Sequence, residues 1–185
     1  METHGIPNDN LPEISAITVM ICLPIIQKIV YPALRKAQIP FRPVSRITLG
    51  FCFEAAAMGY AAIVQHLVYN SSPCYDTPLV CSASEDGTIP NRVSVFIQIP
   101  IYVLEALGGI FAIPAMLEIA YVRAPKSMKS MIQALFTLTG AVSSIMGIAL
   151  MPLYQDPRMV ITYSLLSALM FVTMIAFQWF FGRSK

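Results

Sequence analysis

Five long apolar runs, each bounded by charged or proline-containing connections, constrain this chain more than any other feature. Their ranges are about 11–34, 47–69, 93–122, 128–153 and 159–181. A helix needs about 20 apolar residues to cross a hydrocarbon core roughly 30 Å thick, and each run is long enough. In lipid a backbone must satisfy its own hydrogen bonds, so runs of this kind fold as transmembrane helices. The composition agrees: 56% of the 185 residues are hydrophobic and 12% charged, against about 25% charge in a typical soluble domain. The expected fold class is therefore an all-α membrane protein. Pro32, Pro100, Pro114 and Pro152 fall inside the runs, where neighbouring helices can satisfy the carbonyls that a proline leaves free.

Lysine and arginine set the expected orientation. Arg35, Lys36, Arg42 and Arg46 crowd the first connection, Arg123, Lys126 and Lys129 the third, and Arg183 and Lys185 the tail. The second and fourth connections carry only Arg92 and Arg158. The positive-inside rule then places residues 1–10 outside, the loop 70–92 outside and the tail 182–185 in the cytoplasm. "APKSMKS", Ala124 to Ser130, becomes a short cytoplasmic hinge in which Pro125 stops a helix and two lysines anchor the turn at the headgroups. The loop 70–92 holds Cys74 and Cys81, which on an oxidising side can pair as a disulfide, the alternative being two unpaired thiols. Cys22 and Cys52 lie inside runs and read as packing residues. Asn70-Ser71-Ser72 fits the glycosylation pattern at the edge of the second run.

Three carboxylates fall inside the runs, where an ionisable group suggests function by default: Glu54, Glu105 and Glu118. Glu54 sits beside Ala55-Ala56-Ala57 and is expected to make an interhelical hydrogen bond or to pair with Lys28 of the first run. Glu118 reads as structural or gating, with Arg123 as its expected partner. His66, near the end of the second run, reads as a polar interface residue, a proton relay being the alternative. Gly108-Gly109, Gly140 and Gly147 read as close helix contacts or bends, and Tyr102 and Phe111 as packing or pocket-lining aromatics. Two distant histidines give no metal-ligand spacing, no phosphate-binding glycine loop occurs, and the basic residues form no nucleic-acid patch. No nucleophile is paired with a base, so an enzyme is the weakest of the possible classes. No cofactor is expected.

"METHGIPND" at the start, "YPALRK", "RITLGF" and "APKSMKS" occur in that order, and together they resemble the carboxy-terminal half of the proton-dependent oligopeptide transporters, especially the fungal branch. The resemblance implies a major facilitator superfamily fold and places this chain at spans eight to twelve of twelve, with a missing amino-terminal half as partner. It implies proton-coupled symport of di- or tripeptides, or of peptide-like metabolites, across the plasma membrane. A rival reading stays open: a non-transporting remnant, or a structural or regulatory fragment of such a transporter.

The family carries a midspan glutamate for the peptide amino terminus, fifteen residues before the alanine of its Ala-Pro turn. Counting back fifteen from Ala124 reaches Gly109, and Ile113 replaces the small polar residue usual four positions later. Glu105 lies four residues before Gly109, about one turn away on the same helical face. It is about 20 Å down the span, near its middle. Glu105, with Gly109 and Tyr102, is therefore the expected substrate contact, the alternative being a structural carboxyl. Gln27 stands where fungal relatives usually show an aspartate, so a charge pair implied by the family is missing here.

Overall fold

A computed structural model describes residues 1, 10–38, 41–75, 81, 91–125 and 128–182, with the Arg123 side chain left out. Most of the opening motif, most of the loop 70–92, Lys126 and Ser127 of the basic hinge, and the tail beyond Gly182 lie outside the described residues. Within them the chain builds five helices long and apolar enough to cross a membrane.

The first crossing is compound. Helix α1, Glu13–Ile25, passes through a π-helical turn, Ile26–Val30, into α2, Tyr31–Lys36. Pro24 sits inside α1, just before the π turn. A proline cannot donate to the carbonyl four residues back, and a widened turn beside it is a usual way for a helix to absorb that loss. Pro32 falls in the first turn of α2, where its missing N–H costs least. The segment ends as Gln38 enters the left-handed region at a φ of 54°, the conformation that commonly stops a helix.

Helix α3, Pro43–Tyr69, starts on Pro43 after the extended Arg42, so it begins four residues before the apolar run that marks it in the sequence. A 3-10 turn, Val95–Gln98, leads into α4, Ile99–Arg123. Pro100 is in the first turn of α4, and Pro114 is inside it. Helix α5, Lys129–Leu150, closes in a 3-10 turn, Met151–Leu153, that contains Pro152; α6 is Met159–Gly182. Of the four prolines expected within spans, two open helical segments and one closes a helix. Only Pro114 is interior.

Helix α3 is the spine, packed along its length on α4 and on α6, while α1 packs on α4. Small residues set these distances. A Cβ on Gly50 would stand 2.7 Å from Ala112 Cβ and 2.9 Å from the Gly108 carbonyl, a separation only glycine allows. On the other side of α3, Gly59 faces Ser167, whose hydroxyl donates to the Ala55 carbonyl at 2.8 Å. Thr48 donates to Gln178 Oε1 across the same pair of helices, also at 2.8 Å.

The core where α1, α3 and α4 meet is aromatic and aliphatic: Ile26, Ile110 and Phe111 are buried with Leu23, Phe53 and Leu107 around them. Phe53 stacks on Phe111 at 5.9 Å, and Phe41 meets the same ring edge-on at 6.2 Å. Phe111 is thus a core residue. Helix α5 has no buried residue and packs lightly on α4, with Tyr121 donating to Gln133 Oε1 at 3.0 Å. The outward faces of α1 and α5 carry Met20, Ile21, Ile145 and Ile148, all more than half exposed.

Asn91 closes the molecule at the end of α3. It is fully buried, accepting from the Cys74 backbone N–H at 3.1 Å and donating to the Val68 carbonyl at 2.8 Å. Beside it, Cys74 is joined to Cys81 by a disulfide.

Candidate functional site

On α4 the positions Tyr102, Glu105, Gly109 and Ile113 fall three or four residues apart, which aligns them on one face. That face is open: Glu105 and Ile113 are exposed and Tyr102 and Gly109 partly so, whereas Ala106, Ile110 and Ala115 turn inward. The helix is amphipathic in the sense that matters inside a membrane, with its closed side fixed by packing on α3 and its open side carrying the carboxylate.

The two glycines of Gly108-Gly109 differ. A Cβ on Gly108 would lie 2.7 Å from Glu54 Oε1, so the Glu54 side chain of α3 rests against the α4 backbone at this point. A Cβ on Gly109 meets only Ile113 Cδ1, at an ordinary 3.7 Å. Gly140 and Gly147 meet nothing within 4 Å. Of the glycines expected at close contacts, Gly108 makes one and the other three do not.

Glu54 does not pair with Lys28. Lys28 projects from the π turn, exposed, and makes no ion pair among the described residues. Glu54 instead lies within electrostatic reach of Glu105, so α3 and α4 bring two acids toward each other. Tyr102 is also within reach of Glu105, and Tyr163 of α6 is within reach of Tyr102 and Asp156. Asp156 in turn accepts a short hydrogen bond from the Tyr69 hydroxyl at the end of α3.

At the opposite end, Glu118 is bound by Arg46 of α3, with Nη1 3.2 Å from Oε2. The expected partner, Arg123, has its side chain outside the described residues. The Arg46 guanidinium also stands 4.6 Å over the Tyr31 ring and 5.7 Å from that of Phe41. Sequence reading counted Arg46 only as a topology signal, because a partner 72 residues away leaves no local trace. The Tyr69–Asp156 bond was missed for the same reason. His66 shares a 3.0 Å hydrogen bond with Asn70 Nδ2, so glycosylation of Asn70 would require that nitrogen to be released from the ring. A groove of about 750 Å³ between α3 and α6, lined by Ala55, Gly59, His66, Ser167 and Phe171, contains no carboxylate.

Five apolar helices with acids placed inside them define a multi-pass membrane protein. The family model described as the POT family matches residues 1–177, and the chain belongs to that family; its all-α bundle is part of a major facilitator fold. It is 41% identical over 183 residues to the peptide transporter imqD of Aspergillus flavus, covering 99% of this chain and 45% of that one. It is 46% identical over 180 residues to the peptide transporter PTR_C of Candidozyma auris, covering 97% of this chain and 31% of the other. Over 173 residues it is 42% identical to the peptide transporter PTR2 of Saccharomyces cerevisiae, covering 94% and 28%. The chain spans less than half the length of these curated relatives. The family and the named relatives are transporters, not enzymes.

Proposed function

We propose that the chain forms the carboxy-terminal spans of a proton-driven transporter of di- or tripeptides or peptide-like metabolites in the plasma membrane, its basic first connection facing the cytoplasm. Membership of the family and the printed names of the relatives support the solute class. In transporters of this type the solute binds near the midplane, between two halves that rock against each other. The exposed apolar faces of α1 and α5 suit such a partner half.

The observation that carries the site is Glu105, an exposed carboxylate on the open face of α4. A peptide amine held there would make a charge-assisted hydrogen bond in a poorly hydrated cavity. Glu54, on the neighbouring helix, places a second acid within electrostatic reach of the first. An acid at 105 would sit about 6 Å farther along the helix than one at 109. The amine would shift with it, and the range of peptides that fit should change while charge recognition remains.

The test uses a chimera in which this chain replaces the matching stretch of the Saccharomyces relative. Glu105→Gln should lower dipeptide uptake at least about tenfold, the scale of one lost hydrogen bond to a charge. Adding Gly109→Glu should restore it, since the space at Gly109 is open. Unchanged uptake with Glu105→Gln at equal abundance would make Glu105 structural.

A further inference from the structure

At the basic end of the bundle, the π turn, α2 and the start of α3 enclose a cavity of about 530 Å³, lined by Gln27, Tyr31, Arg35, Phe41 and Arg46 among others. Two arginines face it. Gln27 adds an uncharged amide able to donate, and Tyr31 a hydroxyl. Among the described residues the one acid paired with the cavity's cations is Glu118, which is engaged with a single nitrogen of Arg46. The Nε of Arg46 is buried and has no hydrogen-bond partner. A buried donor of a charged group left unpaired is costly, and none of the described residues supplies its acceptor. Lys36 and Arg42 stand exposed on the same connection, adding positive charge around the mouth.

The position of the cavity selects the kind of anion. It lies where the first helix long enough to cross a membrane ends and the second begins, and the ends of such helices fall at the headgroup level. The side of α1 leading away from it toward the membrane centre exposes Ile25 and Ile29, at 45% and 62%. An occupant with a phosphate at one end and apolar chains at the other would satisfy both parts at once. We infer that the cavity between the π turn, α2 and the start of α3 binds the phosphate of an anionic phospholipid, held by Arg35 and Arg46 with its chains along α1. Basic pockets between helices at a headgroup level are recognised sites for such lipids. The guanidinium fork of Arg46 can hold Glu118 with one edge and a phosphate oxygen with another. The lipid would then brace the joint between α2 and α3, and through Glu118 the end of α4.

Native membranes containing the chain can be supplied with a photoactivatable, clickable phosphatidylglycerol bearing its crosslinker near the headgroup, and with the phosphatidylcholine counterpart. Labelled peptides are then mapped by mass spectrometry and normalised to abundance. Label from phosphatidylglycerol should concentrate between Ile25 and Arg46 and exceed that from phosphatidylcholine. Arg35→Gln should reduce it about fivefold, the scale of one basic side chain near an anionic surface. Arg158→Gln, at the opposite end, should leave it unchanged, and millimolar inorganic phosphate should not displace it. The Arg35 side chain is exposed and makes no ion pair among the described residues, so its variant remains informative even if Arg46→Gln lowers abundance. Equal labelling by the two lipids, or labelling indifferent to Arg35→Gln, would overturn the inference. Displacement by inorganic phosphate would also overturn it, showing a free-anion site instead of a lipid site.

Discussion

Arg46 of α3 meets Glu118 of α4 and the rings of Tyr31 and Phe41, and its energetics show how single contacts act here. Its bond to Glu118 is partly open to solvent, the carboxylate side chain being 50% exposed. Such a pair contributes about 1 kcal/mol or less. A double-mutant cycle with Arg46→Gln and Glu118→Gln, read by thermal stability in detergent, should therefore return a small coupling. Asn91 is the opposite case. It is wholly buried, and Asn91→Ala would strand the Cys74 N–H, while the Val68 carbonyl would keep the Ser71 N–H as a partner. That should cost about 1–3 kcal/mol, visible in the same melting experiment as a larger loss than either single change at the ion pair. Neither residue stood out in the sequence. An asparagine in a polar loop and an arginine among four basic residues look ordinary until the chain folds, because their partners are distant. Glu54 stands out in the sequence as an acid inside an apolar run, but its neighbour could not be read: whether α3 turns it toward Lys28 or toward α4 depends on which helices pack together.

At the scale of helices, legibility follows the physics of lipid. An apolar run of this length can satisfy its backbone in one regular way, so five apolar helices were readable from hydropathy alone. Their pairing was not, because inside a membrane every face is apolar and the choice falls to small residues and a few hydroxyls. The glycines make this concrete. Gly50→Ala places a methyl 2.7 Å from Ala112 Cβ and against backbone, so α3 and α4 must move apart at a cost of about 1–3 kcal/mol. Gly140→Ala meets nothing within 4 Å and, in a helix interior, should be neutral or slightly stabilising. Thermal stability and expression of the two variants, measured side by side, check this; equal effects would mean that α3 and α4 do not approach as closely as described. Proline reading was limited in a related way, since Pro43 begins a helix and Pro24 precedes a π turn for reasons of local geometry that hydropathy does not register.

For the whole molecule, the charge asymmetry between connections leads to a direct expectation. With the native cysteines replaced, a cysteine at Gln155 should react with a membrane-impermeant maleimide in intact cells, and one at Arg42 only after permeabilisation. The reverse pattern would invert the orientation. The central claim, that these helices form part of a proton-driven peptide path, is tested most directly by uptake. Cells lacking their own peptide transporters would express the chimera with the Saccharomyces relative, and accumulation of a labelled dipeptide would be followed with and without a protonophore. Accumulation should stand well above that of cells carrying the empty vector and should be abolished when the proton gradient is collapsed. A chimera present at the cell surface in normal amount that accumulates no dipeptide would contradict that claim.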